Sequence, residues 1–128
     1  MSPPEVLRVQ DYLEHVLDAI HRINRYVAGM DHAAFLANEE KQDAVIRNIE
    51  IISEAARNIM RKYPEFASSH PELPWGSTYG MRNVVAHGYF KVDLAIVWKT
   101  IQSDLPRLEK QVTNLLAKQN LSPPFPSQ

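Results

Sequence analysis

Arg82, His87 and Tyr89 fall within one short stretch, Arg82-Asn83-Val84-Val85-Ala86-His87-Gly88-Tyr89. Their side chains bring together a fixed cation, a titratable imidazole and a phenol. A guanidinium keeps its proton near neutral pH, and its planar fork matches phosphate oxygens. An imidazole takes or gives a proton in that same range. The phenol can orient a phosphate or carry a covalent modification. These are the parts of a phosphodiester-cleaving site that needs no metal ion.

Geometry limits how the parts can meet. Residues five apart on a straight helix point about 140° away from each other. Arg82 and His87 therefore cannot share one face of an ideal helix. The pattern predicts a short third helix from about Ser77 to Ala86 that carries the site. Gly88 is suited to the left-handed backbone that ends a helix, which puts His87 in the last turn and Tyr89 just outside it.

The chain has 128 residues, enough for one domain with a core that needs no covalent staple. There are no cysteines, so neither a disulfide framework nor a thiolate metal site is available. The N-terminal MSPPEVLRVQ lacks the basic-then-apolar profile of a signal peptide, and no apolar run approaches membrane-spanning length. A cytoplasmic location without membrane contact is the expectation. Net charge is −1, from 14 basic and 15 acidic residues. A protein that coats nucleic acid nonspecifically is normally basic, so any contact with RNA is expected to be local, through clustered arginines.

The remaining segments must position the motif. Ser2, Pro3 and Glu5 read as a capping box that opens a first long helix. Val6, Val9, Leu13, Val16, Ile20, Ile23 and Val27 form its apolar seam, and Gly29 is its stop. Asp11, Glu14, His15, Asp18, His21, Arg22 and Arg25 occupy the other side and read as a solvated face. Asp31 to Leu36 reads as a short helical turn with Phe35 inward. Asn38 caps a second long helix from about Glu39 to Lys62, with Val45, Ile49, Ile52, Ala56, Ile59 and Tyr63 on its apolar face. Opposite them runs a charged stripe that includes Arg47, Glu50, Glu54 and Arg57. The favoured reading of the stripe is a salt-bridged surface; a sharper one has Arg47 and Glu54 hold the Arg82/His87 side chains.

Pro64 ends the second helix, and residues 64–74 read as a polar connector with His70 exposed. Trp75 reads as an apolar anchor for that loop. Asp93 caps a last helix reaching about Lys118, with a seam of Leu94, Val97, Ile101, Leu105, Leu108, Val112 and Leu115 and a kink expected at Pro106. The tail 121–128, rich in proline, is expected to be disordered. The fold class is thus all-α: a four-to-five-helix up-and-down bundle over residues 1–120.

The motif and its surroundings resemble a known family. Arg82…His87-Gly88-Tyr89 fits the R-x4-H-x-Y pattern of HEPN-domain ribonucleases. The segment from Asp43 to Ala55, Pro71-Glu72-Leu73-Pro74-Trp75, Met81-Arg82-Asn83, Val92-Asp93 and Asp104-Leu105-Pro106 resemble its HepT-like toxin branch. The resemblance covers about Asp31 to Leu116. It implies a HEPN-like helical bundle and a homodimer. It also implies a toxin endoribonuclease of a type II/VII-like toxin–antitoxin pair, using neither metal nor cofactor. The partner it implies is an MNT-type nucleotidyltransferase antitoxin that transfers AMP to the motif tyrosine, here Tyr89.

In chemical terms, His87 would draw the proton from an RNA 2′-hydroxyl and Arg82 would stabilise the phosphate. Asn83, Glu54 and Arg47 would be supporting groups. The alternative is a non-catalytic helical module that binds nucleotides or a partner and works with a nucleotidyltransferase. The bland reading of the motif makes His87 a cap bonded to backbone, Arg82 a salt-bridge partner and Tyr89 part of the core; a third reading of the function is a purely structural dimer module.

Overall fold

The computed structural model describes residues 7–83 and 92–121, with side chains through residue 119. Among the described residues all regular structure is helical.

Helix α1 spans Val9–Tyr26. It starts later than the Ser2–Glu5 capping box predicts, because Arg8 is extended at φ −83° and ψ 163° and serves as the cap. The Arg8 backbone N–H donates to Asp11 Oδ2 at 2.8 Å, and Arg8 Nη2 stands 3.3 Å from Oδ1. The side-chain bond from Arg8, followed by its backbone bond, holds the Asp11 carboxyl below the usual carboxylate range. Residues 1–6, and with them the expected Ser2 cap and Val6, lie outside the described residues. Leu13, Val16, Ile20 and Ile23 are buried as their spacing requires. The chain turns at Gly29, whose φ of +77° is left-handed.

Helix α2 (His32–Leu36) is capped by Asp31, whose carboxylate accepts from the Ala34 N–H at 2.8 Å. Its Phe35 is fully buried and packs on Trp98 with ring centroids 5.3 Å apart. Helix α3 (Glu39–Lys62) starts at Asn38, which accepts from the Lys41 N–H at 3.0 Å. Glu39 and Glu40 in its first turn and Arg61 and Lys62 in its last oppose the helix dipole. Val45, Ile49, Ile52, Ala56 and Ile59 are buried.

Two cross-links fix α3 antiparallel to α1. Lys62 Nζ donates to Tyr12 Oη at 3.0 Å at one end, and Arg22 Nε donates to Asn48 Oδ1 at 2.7 Å nearer the other.

The connector is more structured than its composition predicts. Pro64 ends α3 and also opens helix α4 (Pro64–Ser69), because a proline costs nothing at a first helical position where its missing N–H has no partner. Leu73 is buried, and His70, expected to be exposed, is half-buried against Phe66 with centroids 4.4 Å apart. Trp75 is the expected anchor. It is buried, packs edge-on against Phe66, and donates from Nε1 to the His70 carbonyl at 3.0 Å.

After Asp93, which accepts from the N–H groups of Ala95 and Ile96, helix α6 (Leu94–Lys99) runs into a π-helical segment, Thr100–Asp104, and then α7 (Leu105–Leu121). Helix α5 (Trp75–Gly80) is described with the site below. The expected kink at Pro106 takes the form of this wider turn. In an α-helix the proline ring would meet the carbonyl of Gln102; in the π turn the Leu105 N–H reaches back to Thr100 instead. Val97, Ile101, Leu105, Leu108, Val112 and Leu115 are buried. Helix α7 packs on α1, where His21 Nε2 lies 3.0 Å from Glu109 Oε2. Of the tail expected to be disordered from residue 121, Leu121 instead still belongs to α7, and residues 122–128 lie outside the described residues. Among those described, no helix is long and apolar enough to cross a membrane.

Candidate functional site

Helix α5 carries the chain to Arg82, and three buried contacts hold it. Trp75 anchors its start. The buried Thr78 hydroxyl donates to the Pro74 carbonyl at 2.7 Å. Ser53, 1% exposed on α3, donates from Oγ to the Tyr79 carbonyl at 2.5 Å. The predicted third helix, Ser77 to Ala86, therefore begins two residues early at Trp75. It is interrupted by a turn at Met81 before Arg82 and Asn83 resume helical backbone.

Arg82 and Asn83 are exposed. The Arg82 guanidinium lies over the Tyr79 ring, 5.9 Å from its centroid, with Nη1 3.5 Å from the phenol oxygen. A cation–π contact at an exposed site is worth roughly 0.5–1 kcal/mol. Among the described residues no carboxylate pairs with Arg82. His87, Gly88 and Tyr89 lie in the 84–91 segment, outside the described residues.

Arg47 and Glu54 line one groove of about 330 Å³ with Tyr12, His15, Glu50 and Asn58, between α1 and α3. With about 100° per residue, Glu50, Glu54 and Arg47 lie about 60°, 100° and 120° around α3 from Ser53, which faces α5. They occupy the outer flank of α3, bordered by α5 on one side and α1 on the other. Glu54 pairs with Arg57 at 3.0 Å, as a salt-bridged surface stripe would. Among the described residues no hydrogen bond or ion pair joins Arg47 or Glu54 to Arg82. Nor is there any group of three or more His, Asp or Glu side chains arranged to hold a metal ion.

A second cleft, about 290 Å³, opens between the end of α5 and the start of α7. Pro74, Met81 and Leu108 are its apolar walls, and Ser77, Asp104 and Gln111 bring polar groups to it. Met81 places this cleft one residue from Arg82.

Periodicity missed the polar residues that fix these elements. Asn48 and Ser53 are 4% and 1% exposed on α3, beside the apolar positions Ile49 and Ile52. Asn48 accepts from Arg22 and donates to the Ala44 carbonyl at 2.9 Å. The only available signal was a polar residue on an otherwise apolar stripe, and such residues are paired when buried.

Comparison with known proteins places the chain in a family. The profile of the family described as Ribonuclease HepT-like matches residues 16–115. A protein of Thermococcus cleftensis named as a probable ribonuclease HepT is 39% identical over 106 residues, covering 83% of this chain and 94% of its own. One from Caldanaerobacter subterraneus subsp. tengcongensis, named as a candidate RNase, is 37% identical over 108 residues, covering 84% and 94%. No solved structure matches the chain. A profile spanning most of the helical core, with relatives similar over nearly their whole length, assigns this all-α bundle to the HepT-like ribonuclease family.

Proposed function

We propose that the protein is an endoribonuclease that cleaves RNA by internal attack of the 2′-hydroxyl, without a metal ion. His87 accepts the 2′-hydroxyl proton; the oxygen attacks the adjacent phosphorus and the bond from phosphorus to the 5′-oxygen breaks. The products are a 2′,3′-cyclic phosphate and, after protonation of the leaving oxygen, a 5′-hydroxyl. Arg82 stabilises the charge that builds on the phosphate oxygens. DNA lacks the nucleophile and is not cut.

The observation that carries this reading is the state of Arg82 in a chain of a ribonuclease family. The guanidinium is exposed, braced by Tyr79 on an anchored helix, and unpaired among the described residues. A cation held in place, with no counter-ion among the described residues, is ready for an anion.

Asn83, next to Arg82, binds the phosphate or orients His87. Arg47 and Glu54 act as supporting charges on the α3 flank. A homodimer about a two-fold axis supplies the leaving-group acid as His87 of the partner subunit. The protein acts as the toxin of a pair whose MNT-type nucleotidyltransferase antitoxin attaches AMP to Tyr89. That adduct adds bulk and negative charge at the mouth of the phosphate site and repels RNA.

The test is cleavage of labelled RNA by the purified chain in excess chelator. His87→Ala should lower the rate by about 10²–10⁴-fold and Arg82→Ala by about 10²–10³-fold, both with unchanged melting curves. Cleavage that requires a divalent ion, or survives both substitutions, rejects the mechanism.

A further inference from the structure

The cleft between α5 and α7 is not used by the chemistry above, yet three features prepare it for a flat ligand with a polar edge. Its walls, Pro74, Met81 and Leu108, are apolar, and Ser77 stands exposed at its lip. Its volume of about 290 Å³ is at the lower end of the roughly 300–1,000 Å³ that small ligands occupy. That suits one base and not a folded strand.

The second feature is the π turn. Thr100–Asp104 ends on Asp104, a cleft residue, and Arg107, three residues on, also lines the cleft. Inserted π turns recur where a helix must re-aim side chains for function. Asp104 and Arg107 stand 3.9 Å apart with side chains 51% and 66% exposed, a pairing too loose and too solvated to occupy the carboxylate.

The third feature is Gln111. Its Nε2 donates to the Glu72 carbonyl at 2.8 Å, while its Oε1 is buried and accepts no hydrogen bond among the described residues. Buried acceptors without donors are uncommon in native proteins, and this one belongs to a residue of the cleft wall.

From these we infer that the cleft is a nucleobase subsite for a base of the RNA strand bound at Arg82, and that it prefers guanine. The inference rests on the ribonuclease reading above for its substrate class. A carboxylate is an acceptor only, and it is best satisfied by two parallel N–H donors. The guanine Watson–Crick edge presents such a pair, N1–H and the N2 amino group. Adenine and cytosine offer one amino group, and uracil one ring N–H. Proteins that read single-stranded RNA contact this edge while packing the base faces on apolar or aromatic groups. Met81 sits in the cleft wall and Arg82 follows it in sequence, so base and phosphate groups of one strand are met by adjacent residues.

The experiment measures binding separately from cleavage. The full chain is titrated by fluorescence anisotropy with labelled 2′-O-methyl trinucleotides UGU, UAU, UCU and UUU, whose blocked 2′-oxygens cannot act as nucleophiles. UGU is expected to bind about tenfold or more tightly than the others, the scale of discrimination that a bidentate base contact gives. Asp104→Asn should bring UGU to the level of the rest, whereas Asp104→Glu should keep part of the preference. Ser77→Trp, filling the cleft from its exposed lip without altering the carboxylate, should weaken all four.

Equal binding of the four by the wild-type chain, or a guanine preference that survives Asp104→Asn, overturns the inference. An unmodified RNA of mixed sequence separates the two levels. Cuts at a fixed offset from guanines support both. Cuts indifferent to guanine, with equal trinucleotide binding, remove the subsite and leave the ribonuclease reading. Guanine-selective binding lost in Asp104→Asn, with no RNA cut, removes the ribonuclease reading and leaves a guanine site.

Discussion

Replacing Ser53 with alanine deletes the hydroxyl that ties α5 to α3. Ser53 is 1% exposed and its Oγ donates to the Tyr79 carbonyl at 2.5 Å. A typical intramolecular hydrogen bond contributes about 0.5–1.5 kcal/mol net, and leaving a buried acceptor without a donor costs about 1–3 kcal/mol. Since the removed atom is a single oxygen, little cavity is created, and about 2 kcal/mol of destabilisation is expected. For a domain of this size that corresponds to a fall in Tm of roughly 6–10 °C. Urea unfolding should show a lower midpoint at unchanged slope, meaning altered stability and not an altered unfolded state.

The loss should also reach the site, because Tyr79 is the residue that braces Arg82. Displacement of a catalytic group by about 1 Å can cost up to about 10²-fold in rate. Ser53→Ala should therefore cut RNA about tenfold more slowly at a temperature where it remains fully folded. A variant within about 0.3 kcal/mol of wild type and equally active would refute the claim that this bond positions Arg82.

Three further outcomes are expected. Asn48→Leu strands the Arg22 guanidinium and should destabilise by about 2 kcal/mol, whereas the pair Arg22→Met and Asn48→Leu should recover much of that loss; equal loss in both denies the coupling. A hydrogen bond from its own backbone N–H, with further help from the His70 ring and Lys118 against partial burial, holds Glu72 below the ordinary glutamate value of 4.5. A depressed carboxylate stabilises the fold above its unfolded pKa and loses that effect as pH falls through the folded one. Glu72→Gln should therefore flatten the drop in Tm between about pH 5 and pH 3, and an unchanged profile contradicts this. Finally, co-expression with the proposed nucleotidyltransferase partner should add whole AMP masses to a Tyr89-containing peptide, and labelling that persists in Tyr89→Phe would move the modification elsewhere.

Much of the bundle was legible in the sequence because it rests on local rules. Three-four spacing located the buried seams of α1, α3 and α7, and Asn38 and Asp93 announced the caps of α3 and α6 with the right acceptors. Trp75 was legible as an anchor because so large an apolar group beside a proline-rich loop has few other places to go. The misreadings came where one residue serves two ends or two elements. Pro64 both stops α3 and starts α4, Arg8 is extended and caps α1 through its contacts with Asp11, and Pro106 is absorbed by a π turn upstream.

The site was less legible, for a physical reason. Arg82 is marked by its motif, but Ser53 and Tyr79 matter to it only because α3 and α5 meet, twenty-six residues apart in sequence. Likewise nothing in the spacing of Asp104, Met81 and Gln111 says that they share a cleft.

The chemistry of the RNA ends tests the central claim most directly. RNA cut by the purified chain should carry 2′,3′-cyclic phosphate and 5′-hydroxyl termini, and a substrate with a single 2′-deoxy nucleotide at the cut position should stay intact. Fragments bearing 3′-hydroxyl and 5′-phosphate ends, or cleavage at the deoxy position, would show that water and not the ribose hydroxyl attacks, contradicting the roles given to His87 and Arg82.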